Sequence, residues 1–449
     1  MEKNERMSKR LGLLGAMLGL VLIGILLACG SNYNPSQDGL LLVGSQGSSI
    51  IETFSFTLSN GHVSGIANSP NDTGNLTCLV NGSPAAMVIN PTGTYLFVIF
   101  NKSDQCPNAT KYGIATFQVA SDGNVKQVGS LVSDPNPTTL TMDSTGKFLF
   151  VAEGKNSMAQ APGSAPCPGT TAQYGVCVYA IGSGGSLTPV KGSFNFMNGP
   201  GFASPNIAAV AASPTVFPGT GINGTTNSVC QVPLNVAPTV EYLYAVDSTN
   251  YVVWEYAVNT STGALENPPK TMSVPYFATD QVPAGVAVDP CDRFVYVSDF
   301  QTNKISGYTI CMAATGSGTC PNADGSLVQI TGSPFALSGS ATGPGPILVD
   351  PYGNNLYALG TLSNTISEFT ISPVSGSLAA LNPATVATGA GPVSMTIRGD
   401  DNWMFVANFG ALSQGGSTVS QYSITPATGV LSVSPVIPTD NYPYGVAVK

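Results

Sequence analysis

The sequence predicts an all-β fold: a seven-bladed β-propeller with four antiparallel strands per blade, the first blade closed by the C-terminal strand. Three observations lead there. A Gly-x-Leu/Val hairpin text opens at Gly61, Gly123, Gly185, Gly263, Gly325, Gly376 and Gly429, at spacings of 62, 62, 78, 62, 51 and 53 residues. Short β-rich units at such a period signal a radial array of blades rather than a sandwich. The chain ends Tyr442-Pro443-Tyr444-Gly445-Val446-Ala447-Val448-Lys449, which nearly repeats the mid-chain text Val282-Pro283-Ala284-Gly285-Val286-Ala287-Val288. The composition combines 51 Gly and 34 Pro with 43% apolar residues, as many short strands joined by tight turns around a packed core require.

Taken in order, the chain starts with a targeting segment. Lys3, Arg6, Lys9 and Arg10 precede an apolar run over 11–28, and Leu26-Leu27-Ala28-Cys29 has the order of a bacterial lipobox. The expectation is a signal peptide over 1–28, lipidation at Cys29, a polar tether over 29–38 and the propeller over 39–449. The domain then belongs to the cell envelope, outside the cytoplasm, and meets the membrane through its lipid. An uncleaved helical anchor is the alternative, because the 18 residues of 11–28 just span a bilayer.

Each unit reads as four strands, a to d. Strand a ends in Asp/Asn-Pro-x-Gly, as in Asn90-Pro91-Thr92-Gly93 and Asp350-Pro351-Tyr352-Gly353, where Pro and Gly suit a type I turn. Strand b is apolar throughout, as in Tyr95-Leu96-Phe97-Val98. Strand c alternates, and strand d follows the Gly-x-Leu turn. Strand a is expected over 85–90, 139–143, 206–211, 285–289, 346–350 and 393–397. The first unit lacks one and starts with strand b at 40–43, so the seventh strand a is 444–448. Insertions fall at 102–111 and 155–174 between b and c, at 214–239 between a and b, and at 311–324 between c and d.

Cysteine and charge restrict the partners. Of nine cysteines, setting Cys29 aside leaves an even set in an oxidising compartment. Neighbour pairing is expected: Cys167 with Cys177, Cys311 with Cys320, Cys78 with Cys106, and Cys230 with Cys291. With a single histidine, His62, and no CxxC, no metal or other cofactor is expected. Removing residues 1–28 takes away four basic and two acidic residues and leaves a net charge of −11, which argues against nucleic acid.

At this point the repeats resemble a known group. Val297-Ser298-Asp299 and Val406-Ala407-Asn408 are similar to the YVTN repeat, and the Asp-Pro-x-Gly and Gly-x-Leu turns look like those of the seven-bladed lactonase family. That family includes propeller-type 6-phosphogluconolactonase and the fungal muconate-lactonising enzymes. The resemblance spans 39–449 and implies the propeller more strongly than any activity.

Function is sought where the b–c and d–a loops surround the channel mouth. The residue just after strand b is Ser45, Phe100, Glu153, Asp247, Asp299, Gly360 and Asn408 in the seven units. Lactone hydrolysis needs a base to activate water and a donor for the oxyanion. The candidate bases are Glu153 and Asp299. Asp247, Asn408, Lys155 and Lys304 are the candidate ligand-binding residues. The two remaining arginines, Arg293 and Arg398, and His62 fall toward the other face, so turnover of a phosphorylated sugar is not expected. Tyr33, Tyr442, Tyr444, Phe300 and Phe409 offer stacking surfaces near the loops. The first reading is a monomeric envelope module that binds a protein or carbohydrate partner. The alternative is a hydrolase acting on a weakly charged lactone, and a passive surface component is a third.

Overall fold

A computed structural model describes residues 38–66, 69, 83–101, 112–134, 137–153, 175–190, 205–213, 241–266, 276–312, 320, 324–410 and 416–449. The targeting segment, the tether up to 37 and Cys29 lie outside them. No described helix is long and apolar enough to cross a membrane.

Seven antiparallel sheets form a ring. Their strands a are Ser83–Ile89, Pro137–Met142, Ile207–Ala212, Pro283–Val288, Pro344–Val349, Pro392–Ile397 and Pro443–Val448. The last of these pairs with Asp38–Ser45, so blade 1 joins both ends of the propeller. In blades 4, 5 and 7 the outer edge is broken into two short pieces that both pair with strand c. The strand bounds extend beyond those read from the sequence: the position expected just after strand b is inside the strand in every blade.

Strands b are apolar because both of their faces are covered by neighbouring blades. Phe148–Glu153, Phe294–Asp299 and Trp403–Asn408 are buried along their whole length. Each apolar cluster bridges two blades; that between blades 7 and 1 joins Phe405, Ala407 and Val419 to Leu41, Val43 and Phe56. Burying a large side chain of this kind stabilises by roughly 1.5–3 kcal/mol, so the ring is held together by its seams.

The Gly-x-Leu hairpin is an inter-blade latch. Gly61 has φ +70°, and a Cβ there would lie 2.2 Å from the Trp403 ring of the preceding blade, so only glycine fits. Its carbonyl accepts from Gln421 Nε2 at 2.8 Å. The carbonyls of Gly325, Gly376 and Gly429 likewise accept from Tyr244, Tyr296 and Tyr357 of the preceding blades, at 3.1, 2.7 and 2.6 Å. The repeated glycine therefore encodes blade contact as well as a turn.

Candidate functional site

The central channel has a volume of about 800 Å³ and is walled by strands a of all seven blades. Ala85, Thr139, Ala209, Ala287, Ile347, Met395 and Val446 are among its lining residues, and no described lining residue is charged. Phe300, Thr361 and Tyr444 line it as well. Glu153, Asp247, Asp299 and Asn408 do not; their side chains are buried inside the blades. Each faces strand a of its own blade: Glu153 opposite Pro137, Asp247 opposite Ile207, Asp299 opposite Pro283 and Asn408 opposite Pro392.

The four are chemically different. Asp247 accepts from the backbone N–H groups of Asn206, Thr249 and Asn250, from Asn250 Nδ2 and from Trp254 Nε1. Its carboxylate is committed to holding the b–c loop. Asn408 Nδ2 donates to Thr418 at 3.2 Å and to Ser420 at 3.0 Å, within its own blade.

Asp299 is less committed. Ser306 Oγ donates to its Oδ2 at 2.8 Å, while Oδ1 accepts no bond among the described residues. Burial pushes its carboxyl up to about 7; the Ser306 bond opposes this and the nearby Asp280 charge adds to it. Asp280 is paired with Lys304 Nζ at 3.1 Å. Burial alone would raise Asp280, but the Lys304 ammonium and local donors outweigh it and hold the carboxyl below its ordinary value. Lys304 is 42% exposed, so its charge is screened by solvent.

Glu153 faces Asp134. Burial, then the Asp134 charge, pushes its carboxyl well above the ordinary range. No described N–H or O–H reaches either Glu153 oxygen. Two carboxyl groups in contact need a shared proton, because otherwise both offer only acceptors. Tyr179 Oη donates to Asp134 Oδ2 at 2.7 Å. The Cys177 sulfur lies within 4.8 Å of the ligand oxygens of both acids. It is disulfide-bonded, which removes the thiolate a metal would need.

Asp134 and Asp280 escaped sequence reading, although a signal was present. Each stands three residues before the Pro that opens strand a, as does Asp440. The Asp440 N–H donates to Glu52 at 3.0 Å, so an Asp-x-x-Pro aspartate meets a buried acid in blades 1, 3 and 5. Position Pro−1 is also special. Gly343 and Gly391 occupy it with φ of 62° and 61°, but Val282 and Tyr442 take the same left-handed region at 54° and 59°. For a β-branched residue this is a strained backbone, and it lies at the mouth.

The aromatics converge in part. Phe409 and Tyr442 have ring centroids 5.1 Å apart, and Phe409 and Tyr444 5.7 Å. Phe300 joins the channel wall in blade 5, and Tyr33 lies outside the described residues. The basic residues of the opposite face are engaged: Arg293 makes two 2.8 Å bonds to Asp289 and one of 2.9 Å to Gly353 O of the next blade, and Arg398 pairs with Asp400. His62 is exposed in its hairpin. Lys155 lies outside the described residues.

Cys311 and Cys320 are joined as expected. Cys177 and Cys291 are also disulfide-bonded. Their expected partners Cys167 and Cys230, and the pair Cys78 and Cys106, fall outside the described residues.

The fold and this mouth define a closed seven-bladed propeller with an uncharged channel and buried acids at its rim. Residues 41–162 match the model of the family "Lactonase, 7-bladed beta-propeller". The 6-phosphogluconolactonase of Yersinia pestis (strain Pestoides F) is 22% identical over 365 residues, covering 73% of this chain and 93% of the relative. Among solved structures, a putative 6-phosphogluconolactonase from Bacteroides fragilis superposes with a TM-score of 0.63 at 18% identity, covering 93% of this chain and 100% of that one. The periplasmic gluconolactonase of Pseudomonas aeruginosa gives 0.62 at 18% identity, covering 92% and 99%. At these identities the structural likeness shows the fold. The chain is a lactonase-like seven-bladed propeller.

Proposed function

We propose that the protein hydrolyses a weakly charged lactone at the channel mouth. Similarity to proteins named as lactonases favours this over the pure binding module first read from the sequence. The observation that carries it is Asp299, a buried carboxyl held at about 7 in the blade whose next residue, Phe300, lines the channel. A base near neutrality combines a populated ionised form with useful proton affinity. In this reading the Asp299 carboxylate takes a proton from water as its oxygen attacks the lactone carbonyl. The ring C–O bond then breaks, the alkoxide oxygen takes up that proton, and a hydroxy acid leaves. Lys304 supplies positive charge to the transient oxyanion. Asp299 is fully buried, so this reading requires the flanking segments, joined by Phe300 N to Val282 O at 3.0 Å and Gln301 N to Gln281 O at 3.4 Å, to part for the substrate.

An uncharged channel wall favours a lactone such as gluconolactone over its 6-phosphate. Purified protein assayed on both tests this. Hydrolysis of the uncharged lactone above the spontaneous rate, lost in Asp299→Asn, is the expected result. No turnover of either lactone, or full turnover by Asp299→Asn, overturns the assignment. We also propose that Cys29 is lipidated and tethers the domain to the envelope. Incorporation of a lipid precursor that disappears in Cys29→Ser is expected, and soluble release of the wild type with an intact N-terminus counts against it.

A further inference from the structure

We infer that the seam between blade 7 and the closing strand is a subsite for the ring of a pyranose, formed by Phe409, Tyr442, Tyr444 and Asp440. This rests on the lactone reading above and adds how the substrate is held. The three rings come from three places in the chain: the loop after strand b of blade 7, the loop before the closing strand, and that strand itself. They meet where the chain leaves blade 7 for the closing strand. They are half-buried, with Phe409 tilted 48° to Tyr442 and nearly perpendicular, at 87°, to Tyr444. Tyr444 continues into the channel wall, so the cluster borders the cavity.

The cluster is fixed before any ligand arrives. Tyr442 N donates to Gly416 O at 2.7 Å in blade 7, and its carbonyl accepts from Gln46 N at 2.9 Å in blade 1. Gly47 N bonds Asn441 O at 3.0 Å beside it. Tyr442 is held in the left-handed region, where the equivalent residues of blades 6 and 7 are glycines. A strained backbone that keeps a large ring in place is a recurring feature of ligand clamps.

Asp440 decides the ligand chemistry. Its N–H is used by Glu52, but its Oδ2 is shielded from solvent and accepts no bond among the described residues. An alkyl chain would leave that oxygen unsatisfied, which is costly. A pyranose offers a C–H face to the rings and hydroxyls at its edge, one of which satisfies the acid if its covered oxygen turns toward the ligand on binding.

The test is calorimetric binding of gluconolactam, which keeps the ring and resists hydrolysis, to the full chain. Phe409→Leu and Tyr442→Asn are the aromatic variants, the second because Asn tolerates left-handed backbone. Each is expected to weaken binding about fivefold, in line with loss of one stacking contact, and to raise KM for the lactone at unchanged kcat. Asp440→Asn, which leaves the ring cluster intact, is expected to weaken binding by a similar factor and serves if an aromatic variant does not fold. Folded variants that bind within twofold of wild type overturn the subsite, as does a wild type that binds no lactam. Lactam binding that the variants lose, without turnover of any lactone, sinks the hydrolase reading and leaves the subsite standing.

Discussion

Blades 3 and 5 place two acids at the same positions of the repeat, and the acids behave differently. In both, the last residue of strand b is a buried carboxyl: Glu153 and Asp299. In both, an Asp-x-x-Pro aspartate approaches it, Asp134 in one and Asp280 in the other. In blade 3 the neighbouring Tyr179 hydroxyl donates to Asp134, and Cys177 lies beside the pair. Burial and the Asp134 charge push the Glu153 carboxyl well above its ordinary value, and the pair shares a proton. Blade 5 adds Lys304 against Asp280 and Ser306 against Asp299. Asp280 stays ionised and Asp299 is held at about 7. The frame is shared, and in blade 5 a lysine beside Asp280 and a serine on Asp299 accompany the acid held near neutrality.

The sharpest way to break this comparison is to neutralise each acid in turn. Asp299→Asn should lower kcat for lactone hydrolysis by about 100-fold or more, the usual contribution of a general base. Glu153→Gln should leave kcat nearly unchanged. The reverse ranking in steady-state kinetics would move the base to blade 3.

Stability should rank the two oppositely. A carboxyl whose folded value is raised stabilises the fold below its unfolded value, near 4.5 for Glu, and that contribution is lost as pH rises through the folded value. Glu153 is one such group. Glu241, Asp292 and Asp401, each pushed to about 8 chiefly by burial, and Glu255 at about 9 are others. The wild-type melting temperature should therefore be highest near pH 5 and fall steadily toward pH 9. Glu153→Gln carries no ionisable group into the pair and should flatten that fall, gaining at least about 2 °C over wild type at pH 9. A flat wild-type profile from pH 5 to 9 would show that these acids ionise without cost.

The ring was legible in the sequence because its signals are local. Gly61 and its equivalents mark a turn, and Pro91 or Pro351 with the following glycine marks another. Tyr442 to Lys449 repeats the text of an inner strand, so closure through blade 1 could be read directly. The site was less legible because burial belongs to the assembled ring. Asp247 and Asp299 look alike in sequence, yet five donors surround one, while among the described residues Ser306 is the side chain that donates to the other. Asp134 and Asp280 precede their blades by three residues, and nothing in the local text shows that each folds back onto the acid that ends strand b. The aromatic text was visible, but the meeting of Phe409 with Tyr442 depends on how the loop after strand b of blade 7 folds against the loop before the last strand.

Lys304 offers the finest test, since it carries the difference between the blades. Lys304→Met leaves Asp280 negative beside Asp299 without the ammonium that paired with it. That charge raises the Asp299 carboxyl further, so the acidic limb of the pH–rate profile should move up by about one unit. Asp280→Asn should move it down, because it removes the negative neighbour and leaves the ammonium. As an exposed pair the two contribute at most about 1 kcal/mol to folding, so the melting temperature should barely respond to either change. The height of the plateau above the limb separates the two roles of the lysine. If Lys304 only tunes Asp299, the plateau is unchanged in Lys304→Met; if it also meets the oxyanion, kcat on the plateau falls by about tenfold or more. A limb that stays in place in both variants would mean that Asp299 does not report the charge beside it, and blade 5 would then be no different from blade 3.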